Sequence, residues 1–305
     1  MKRTVITFLF LMMCFASETV LAQLPVSLSL PQVSPKETRS ITIGYTTISF
    51  EYNSVGIKGR KVWGELVPYG EIWRTGANKN TLFTVTDDVL INGQELKAGS
   101  YGMHTIPGEE EWVIIFSNFS EAWGSYFYDE SEDALRVTVT PEEMDSKYEW
   151  MKFSFSDYTA TSVDISLKWA HLKVPFKVEI PMEITFAHIE NQFRTLPAFS
   201  WQGWVQGATY TLQNEYRTDK GLEWAQEAVR IDRSVQTVGL LGKLQVVNGM
   251  EEEGLKTAKE MTTEWAKDWR SHYSAAEIYE ETKDSKKAKE AYKKAIELAN
   301  DERTK

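Results

Sequence analysis

Between residues 36 and 180 the chain alternates apolar and polar side chains. Ile41, Ile43 and Tyr45 form one such set and Ile48, Phe50 and Tyr52 the next. Met151, Phe153 and Phe155 repeat the pattern, as do Val163, Ile165, Leu167 and Trp169. Alternation with a period of two predicts strands with one buried and one wetted face. Shorter apolar runs lie at Leu82–Thr86, Tyr101–Ile106, Trp112–Ser117 and Leu135–Val139, with turns signalled by Asp87-Asp88, Asn92-Gly93 and Pro107-Gly108. About nine short strands without helical crossovers predict an antiparallel β-sandwich, or a barrel. Pro175 and Pro181 bracket the last run, which predicts an edge strand followed by exit from the domain.

From about residue 199 the period changes to three and four. The pattern Gly221-Leu222-x-x-Ala225-x-Glu227-Ala228 returns as Gly254-Leu255-x-x-Ala258-x-Glu260-Met261, and again at Ala288-x-x-x-Tyr292-x-x-Ala295. Offsets of 33 and 34 residues mark paired-helix repeats, in which small residues let helices pack closely. The residues Ala276, Tyr279, Ala288, Tyr292 and Ala295 in the last unit, and Leu241-Gly242, Gly254 and Ala258 in the middle one, resemble the tetratricopeptide repeat. Gln245 departs from it where an aromatic is usual, and the first unit, about 201–233, matches least well. Asn248-Gly249 reads as the stop between the two helices of the middle unit.

The predicted fold class is therefore α+β in two domains, an N-terminal antiparallel β-domain and a C-terminal all-α helical-repeat domain. The expected division is a signal peptide at 1–22, an extended segment at 23–35, the β-domain at 36–180, a linker at 181–200 and the repeats at 201–305. The signal peptide rests on Lys2 and Arg3 ahead of the apolar run Val5–Ala16, then Val20-Leu21-Ala22 before Gln23. That run falls short of the roughly 20 residues needed to span a bilayer, so export to the periplasm or the extracellular space is expected, with no membrane span once it is cleaved. Met12-Met13 ahead of Cys14 do not suit a lipid-anchoring site, which favours a soluble form over an anchored one. Cys14 is the sole cysteine, so the processed chain would hold no disulfide, thiolate metal site or cysteine nucleophile.

Charge narrows the partners. Lys plus Arg number 34 and Asp plus Glu 44, a net charge of −10 whose excess lies in the β half. A nonspecific nucleic-acid binder needs a basic footprint, and this chain has none overall. The lysines Lys286, Lys287, Lys289, Lys293 and Lys294 are interleaved with Glu281, Glu290 and Glu297, as on a solvated capping helix.

One stretch breaks the strand pattern. Gly59–Asn78 carries two tryptophans, two arginines and four glycines with little periodicity, and Trp123-Gly124-Ser125-Tyr126-Phe127-Tyr128 forms a second aromatic cluster downstream. Two readings stand side by side. In one these segments bind a small polar or anionic ligand: Arg60, Arg74 and Arg136 supply planar donor forks, Asn78 an amide, His104 an imidazole, and Trp63, Trp73, Trp123 and Tyr126 flat surfaces for stacking. In the other they form a long cover over one end of the sheets, with Arg74 and Arg136 paired to Asp129 or Asp133 and the tryptophans filling core. The strings GRKVWGELVPYGEIWRTGANKNT, INGQELKAGSYGMHTIPGEEEW and WGSYFYDESEDALRV resemble an exported bacterial family catalogued as domain of unknown function 2911, over about residues 34–180. That resemblance implies no established activity, substrate or catalytic residue.

Familiar catalytic signatures do not occur. His104, His171, His188 and His272 lie far apart with no HExxH, and neither GxSxG nor GxxxxGK[ST] is present, so neither metal nor cofactor is implied. Asp129–Asp133 is acidic but lacks the spacing of a calcium loop. The leading expectation is an exported, non-catalytic binding or assembly protein of the bacterial envelope, meeting a protein partner through its repeats. The alternative is an enzyme acting on an extracytoplasmic carbohydrate or other small polar substrate, which requires Arg60, Arg74, Asn78, His104 and Arg136 to surround one concavity.

Overall fold

The computed structural model describes residues 30–303. The expected signal peptide, Cys14 and most of the 23–35 segment lie outside these residues. Ten strands come first: β1 (Lys36–Ile43), β2 (Thr46–Asn53), β3 (Thr81–Val85), β4 (Val89–Ile91), β5 (Gln94–Leu96), β6 (Gly99–Ile106), β7 (Trp112–Ser117), β8 (Asp133–Val139), β9 (Glu142–Ser156) and β10 (Ser162–Glu179). All pair antiparallel, in a six-stranded sheet of order β1-β2-β3-β6-β7-β8 and a four-stranded sheet of order β5-β4-β10-β9. The alternating residues meet as expected. Phe50 of the larger sheet stacks on Phe153 of the smaller at 4.2 Å, and Phe83, Phe116 and Phe176 close around them in one shared core.

Three details differ from the expectation. Tyr45 does not continue β1 but sits in the turn to β2, about half exposed. The short strands β4 and β5, joined at Asn92-Gly93, carry too few residues for their alternation to stand out. Finally, β10 is no edge strand: it pairs with β9 over 164–173 and with β4 at 178–179. Pro175 falls where β10 has passed from one partner to the other, so its missing N–H removes no ladder bond.

Seven helices follow: α1 (Met182–Gln192), α2 (Trp201–Gln213), α3 (Thr218–Ile231), α4 (Val235–Val247), α5 (Glu251–Glu264), α6 (Trp269–Glu281) and α7 (Ser285–Arg303). None is long and apolar enough to cross a membrane. The last six pack as successive hairpins, α2 with α3, α4 with α5 and α6 with α7, as the 33- and 34-residue offsets predict. The repeated small residues are where the helices touch: a Cβ at Gly221 would run into the side chain of Thr211, and Ala225, Ala258 and Ala276 are fully buried. α4 stops at Asn248-Gly249, with Gly249 in the left-handed region at φ +81°. Trp224 is buried, and Trp204 and Trp265 pack against the helical cores.

Residues 181–200 join the halves largely as a helix. Ile184 of α1 packs on the β core, whereas Phe186 stacks on Trp224 of α3 at 5.1 Å. On the β side, His188 Nε2 lies 2.8 Å from Asp87 Oδ1, its ring stacks on Tyr45 at 5.0 Å, and Gln192 donates to the Tyr45 hydroxyl at 3.1 Å.

Candidate functional site

The two segments without strand periodicity meet on the outer face of the six-stranded sheet. Residues 70–74 extend the lane of β3 along the free end of β6. Gly70 N donates to Pro107 O at 2.8 Å, and Trp73 and Thr105 exchange both backbone bonds, at 2.7 and 2.8 Å. The 118–132 connection between β7 and β8 then pairs with the chain just after this: Asn80 N donates to Ala122 O at 3.0 Å and Gly124 N to Asn78 O at 3.1 Å, with Lys79 bridging Glu121 at 3.0 Å.

Register decides which side chains share this face. Trp73 and Thr105 point toward the core, so the next pair, Arg74 and His104, points outward. β6 and β7 pair His104 with Ile115, and β7 and β8 pair Ile115 with Arg136. One cross-strand row therefore reads Arg74, His104, Ile115, Arg136. His104 is 1% exposed and Ile115 fully buried although both lie outside the shared core, because the 118–132 connection covers them. Gly102, one step along β6, makes this cover possible: a Cβ there would collide with the Asn80 amide and the Phe119 carbonyl.

The sequence-derived candidates separate into three groups. Trp63 and Trp73 are core. With Trp112 and Trp169 they form a four-tryptophan cluster, Trp63 lying 4.9 Å from Trp112 and 5.4 Å from Trp169, and Trp73 stacking on Trp169 at 5.8 Å. Arg60 is spent on its own loop, donating to Ile57 O at 3.0 Å and Gly56 O at 2.6 Å, and Asn78 serves through its backbone carbonyl. Both therefore hold the cover in place, and neither is gathered with His104.

Arg74, His104, Trp123, Tyr126 and Arg136 do come together. Arg136 Nε donates to Asp133 Oδ2 at 2.5 Å, its Nη1 lies 3.3 Å from Glu130, and its Nη2 donates to the Tyr128 hydroxyl. Tyr128 in turn donates to Asp133 at 2.7 Å and lays its ring 5.2 Å from His104. Pairing of Arg136 with Asp133 is as the covering-loop reading expected. Pairing of Arg74 is not: among the described residues its guanidinium makes no ion pair and no hydrogen bond, and its buried Nε has no partner. Burial pushes the Arg74 pKa down, partly offset by Tyr126, yet a guanidinium in a protein stays protonated. Burial also pushes His104 down to about 4, against a smaller upward pull from Asp133, so its imidazole is neutral at pH 7.

Buried polar atoms without partners concentrate here. Arg74 Nε, Asn80 Oδ1, His104 Nδ1 and Asp133 Oδ1 all lack one, whereas most buried polar atoms in folded proteins are satisfied. Above them Trp123 and Tyr126 stack 6.1 Å apart and nearly parallel, and are 60% and 77% exposed, with Phe127 also 70% exposed beside them. Asn80, Tyr128 and Asp133 were not among the candidates. Tyr128 stood in the aromatic cluster without a role, Asp133 was named only as a pairing partner for the arginines, and nothing in the sequence brings Asn80 to Gly102.

Comparison with known proteins bears on both halves. Residues 34–178 match the family described as Protein of unknown function (DUF2911). Residues 270–302 match a tetratricopeptide repeat. The site above lies wholly within the DUF2911 region, and the family description assigns it no activity. No curated protein matches the chain. Among solved structures, the crystal structure of MamA is 13% identical over 41% of this chain and 75% of that one, with a TM-score of 0.32. YrrB, a tetratricopeptide-repeat protein with an unusual peptide-binding site, is 20% identical over 38% and 60%, with a TM-score of 0.31. PcrH from Pseudomonas aeruginosa is 18% identical over 33% and 76%, with a TM-score of 0.28.

Proposed function

We propose that this is an exported, non-catalytic binding or assembly protein whose helical repeats hold another protein. The observation that carries the reading is the stack of helical hairpins, in which the first helices of successive units lie side by side. Lys243 of α4 reaches Glu277 of α6 at 2.5 Å, and Gly239 faces Ser274 across the same seam. A layer of parallel first helices offers a continuous surface for a partner, and such stacks commonly present one. Gln236 and Arg270, 34 residues apart, occupy equivalent exposed positions on that layer, while Lys289 is exposed on the outer helix α7.

Site-specific photo-crosslinking in the native cell tests this. Crosslinkers at positions 236 and 270 are expected to capture one and the same protein, and a crosslinker at 289 is not. Equal capture from all three positions, or none from 236 and 270, overturns the proposal. Export is tested separately by fractionation: a chain lacking residues 1–22 is expected to stay in the cytoplasm.

The enzyme reading loses its motivation. It required five polar residues about one concavity, and Arg60 is committed to its own loop while Arg136 is held by Asp133, Glu130 and Tyr128.

A further inference from the structure

We propose that Arg74, with the exposed rings of Trp123 and Tyr126, forms a binding site for a ring-bearing carboxylate on the outer face of the β-domain. The site is independent of the helical repeats. A half-buried guanidinium without a counter-ion is costly, because it has given up water without gaining a partner. The other arginine of the same row shows the usual solution, being held by Asp133 and Glu130. Arg74 lacks any such partner, and its side chain reaches the surface beside Gly124 and Tyr126. A carboxylate from outside the described chain would complete it, supplying the negative charge that Asp133 and Glu130 supply to Arg136.

The surroundings narrow the ligand. Glu130 and Asp133 match Arg136 with two carboxylates, so the two arginines and two carboxylates together are neutral and a singly charged ligand meets less repulsion than a doubly charged one. A carboxylate meets the planar fork of a guanidinium with two parallel bonds. Beside the charge stand two nearly parallel aromatic faces open to solvent, a surface suited to the flat side of a sugar or an aromatic ring. Trp63, Trp73, Trp112 and Trp169, which serve the fold, are largely buried, whereas Trp123 and Tyr126 are open to solvent beside Arg74. His104, the neighbour of Arg74 in the cross-strand row, packs against the ring of Tyr128.

Sugar acids and aromatic acids share this chemistry, and titration calorimetry on the full chain separates them. The probes are D-glucuronate and benzoate, with D-glucose and benzyl alcohol as their neutral counterparts. One of the two acids is expected to bind saturably with a Kd of about 1 mM or tighter, and its neutral counterpart about tenfold more weakly or not at all. Arg74→Gln is expected to lose that affinity by about tenfold, the scale of one charge-assisted hydrogen bond. Trp123→Ala changes an exposed side chain, keeps the fold and is expected to weaken binding about fivefold through lost stacking. Binding of neither acid overturns the proposal, as does unchanged affinity in either variant with the far-ultraviolet spectrum of the parent. Because no protein partner is involved, failure here leaves the reading of the repeats as it stands.

Discussion

At the scale of single residues, His104 has the clearest consequence. Its imidazole sits under Tyr128 with Nδ1 unsatisfied, and burial lowers its pKa to about 4, whereas the unfolded chain titrates near 6.5. Between these values the unfolded state binds a proton that the folded state refuses, so stability falls as pH drops through that window. Urea unfolding is expected to show the parent losing about 2 kcal/mol more than His104→Gln between pH 7 and pH 4.5. An identical pH dependence in the two would show that His104 is hydrated in the folded state. The sequence placed His104 on a strand, but its burial on the outer face depends on a connection arriving from residues 118–132. Gly102 carries the same lesson. Gly102→Ala pushes a methyl into the Phe119 carbonyl, and a loss of about 2 kcal/mol or more in denaturant unfolding is expected, with Trp123 becoming more mobile.

Among the elements, α1 decides how the halves communicate. Its first turn buries Ile184 against the sheets, its next places Phe186 against Trp224 and Tyr216, and His188 returns to Asp87. Burial raises the Asp87 pKa, but hydrogen bonds from His188, Thr86 and Thr46 outweigh it and hold the carboxyl below its usual range. Its contribution is therefore present above about pH 4 and is lost as pH falls further. Phe186→Ala is expected to cost about 3 kcal/mol, as other buried phenylalanine truncations do, and calorimetry should place the loss in the helical transition. Asp87→Asn should weaken the joint itself, read as faster proteolysis between residues 181 and 200 at neutral pH with little change in either core. Pro175 makes the complementary point about sequence reading. Its φ and missing N–H were legible, but whether β10 was an edge depended on where β4 and β9 let go of it.

At the scale of the molecule the described residues form separate hydrophobic cores, one between the sheets and two among the helices, with α1 contributing to both sides. A chain ending at residue 192 keeps every strand and the Ile184 contact. It is expected to give a cooperative unfolding transition and to retain the ring-carboxylate site, since Arg74, Trp123 and Tyr126 draw nothing from the repeats. A chain ending at residue 281 removes α7, uncovers the face of α6 on which Tyr273 and Glu280 meet Tyr292, and is expected to aggregate or lose helicity by circular dichroism.

Period and spacing by themselves determined the two architectures and their order. A β-strand shows its buried face every second residue, a paired helix shows small residues at a fixed offset, and both signals are local. Local signals also named the candidates: Arg74, Trp123 and Tyr126 because arginine and aromatics at that density break the strand pattern, and His104 and Arg136 by residue type within strand-like runs. Only the tertiary structure divided the candidates by role. Trp63 and Trp73 could be told from Trp123 and Tyr126 only once the first pair met Trp112 and Trp169, tens of residues away along the chain. Likewise Arg74 could be told from Arg136 only once Asp133 and Glu130 were seen to face one and not the other. Burial and charge pairing are sums over neighbours from distant segments, so they exist only when the chain has folded.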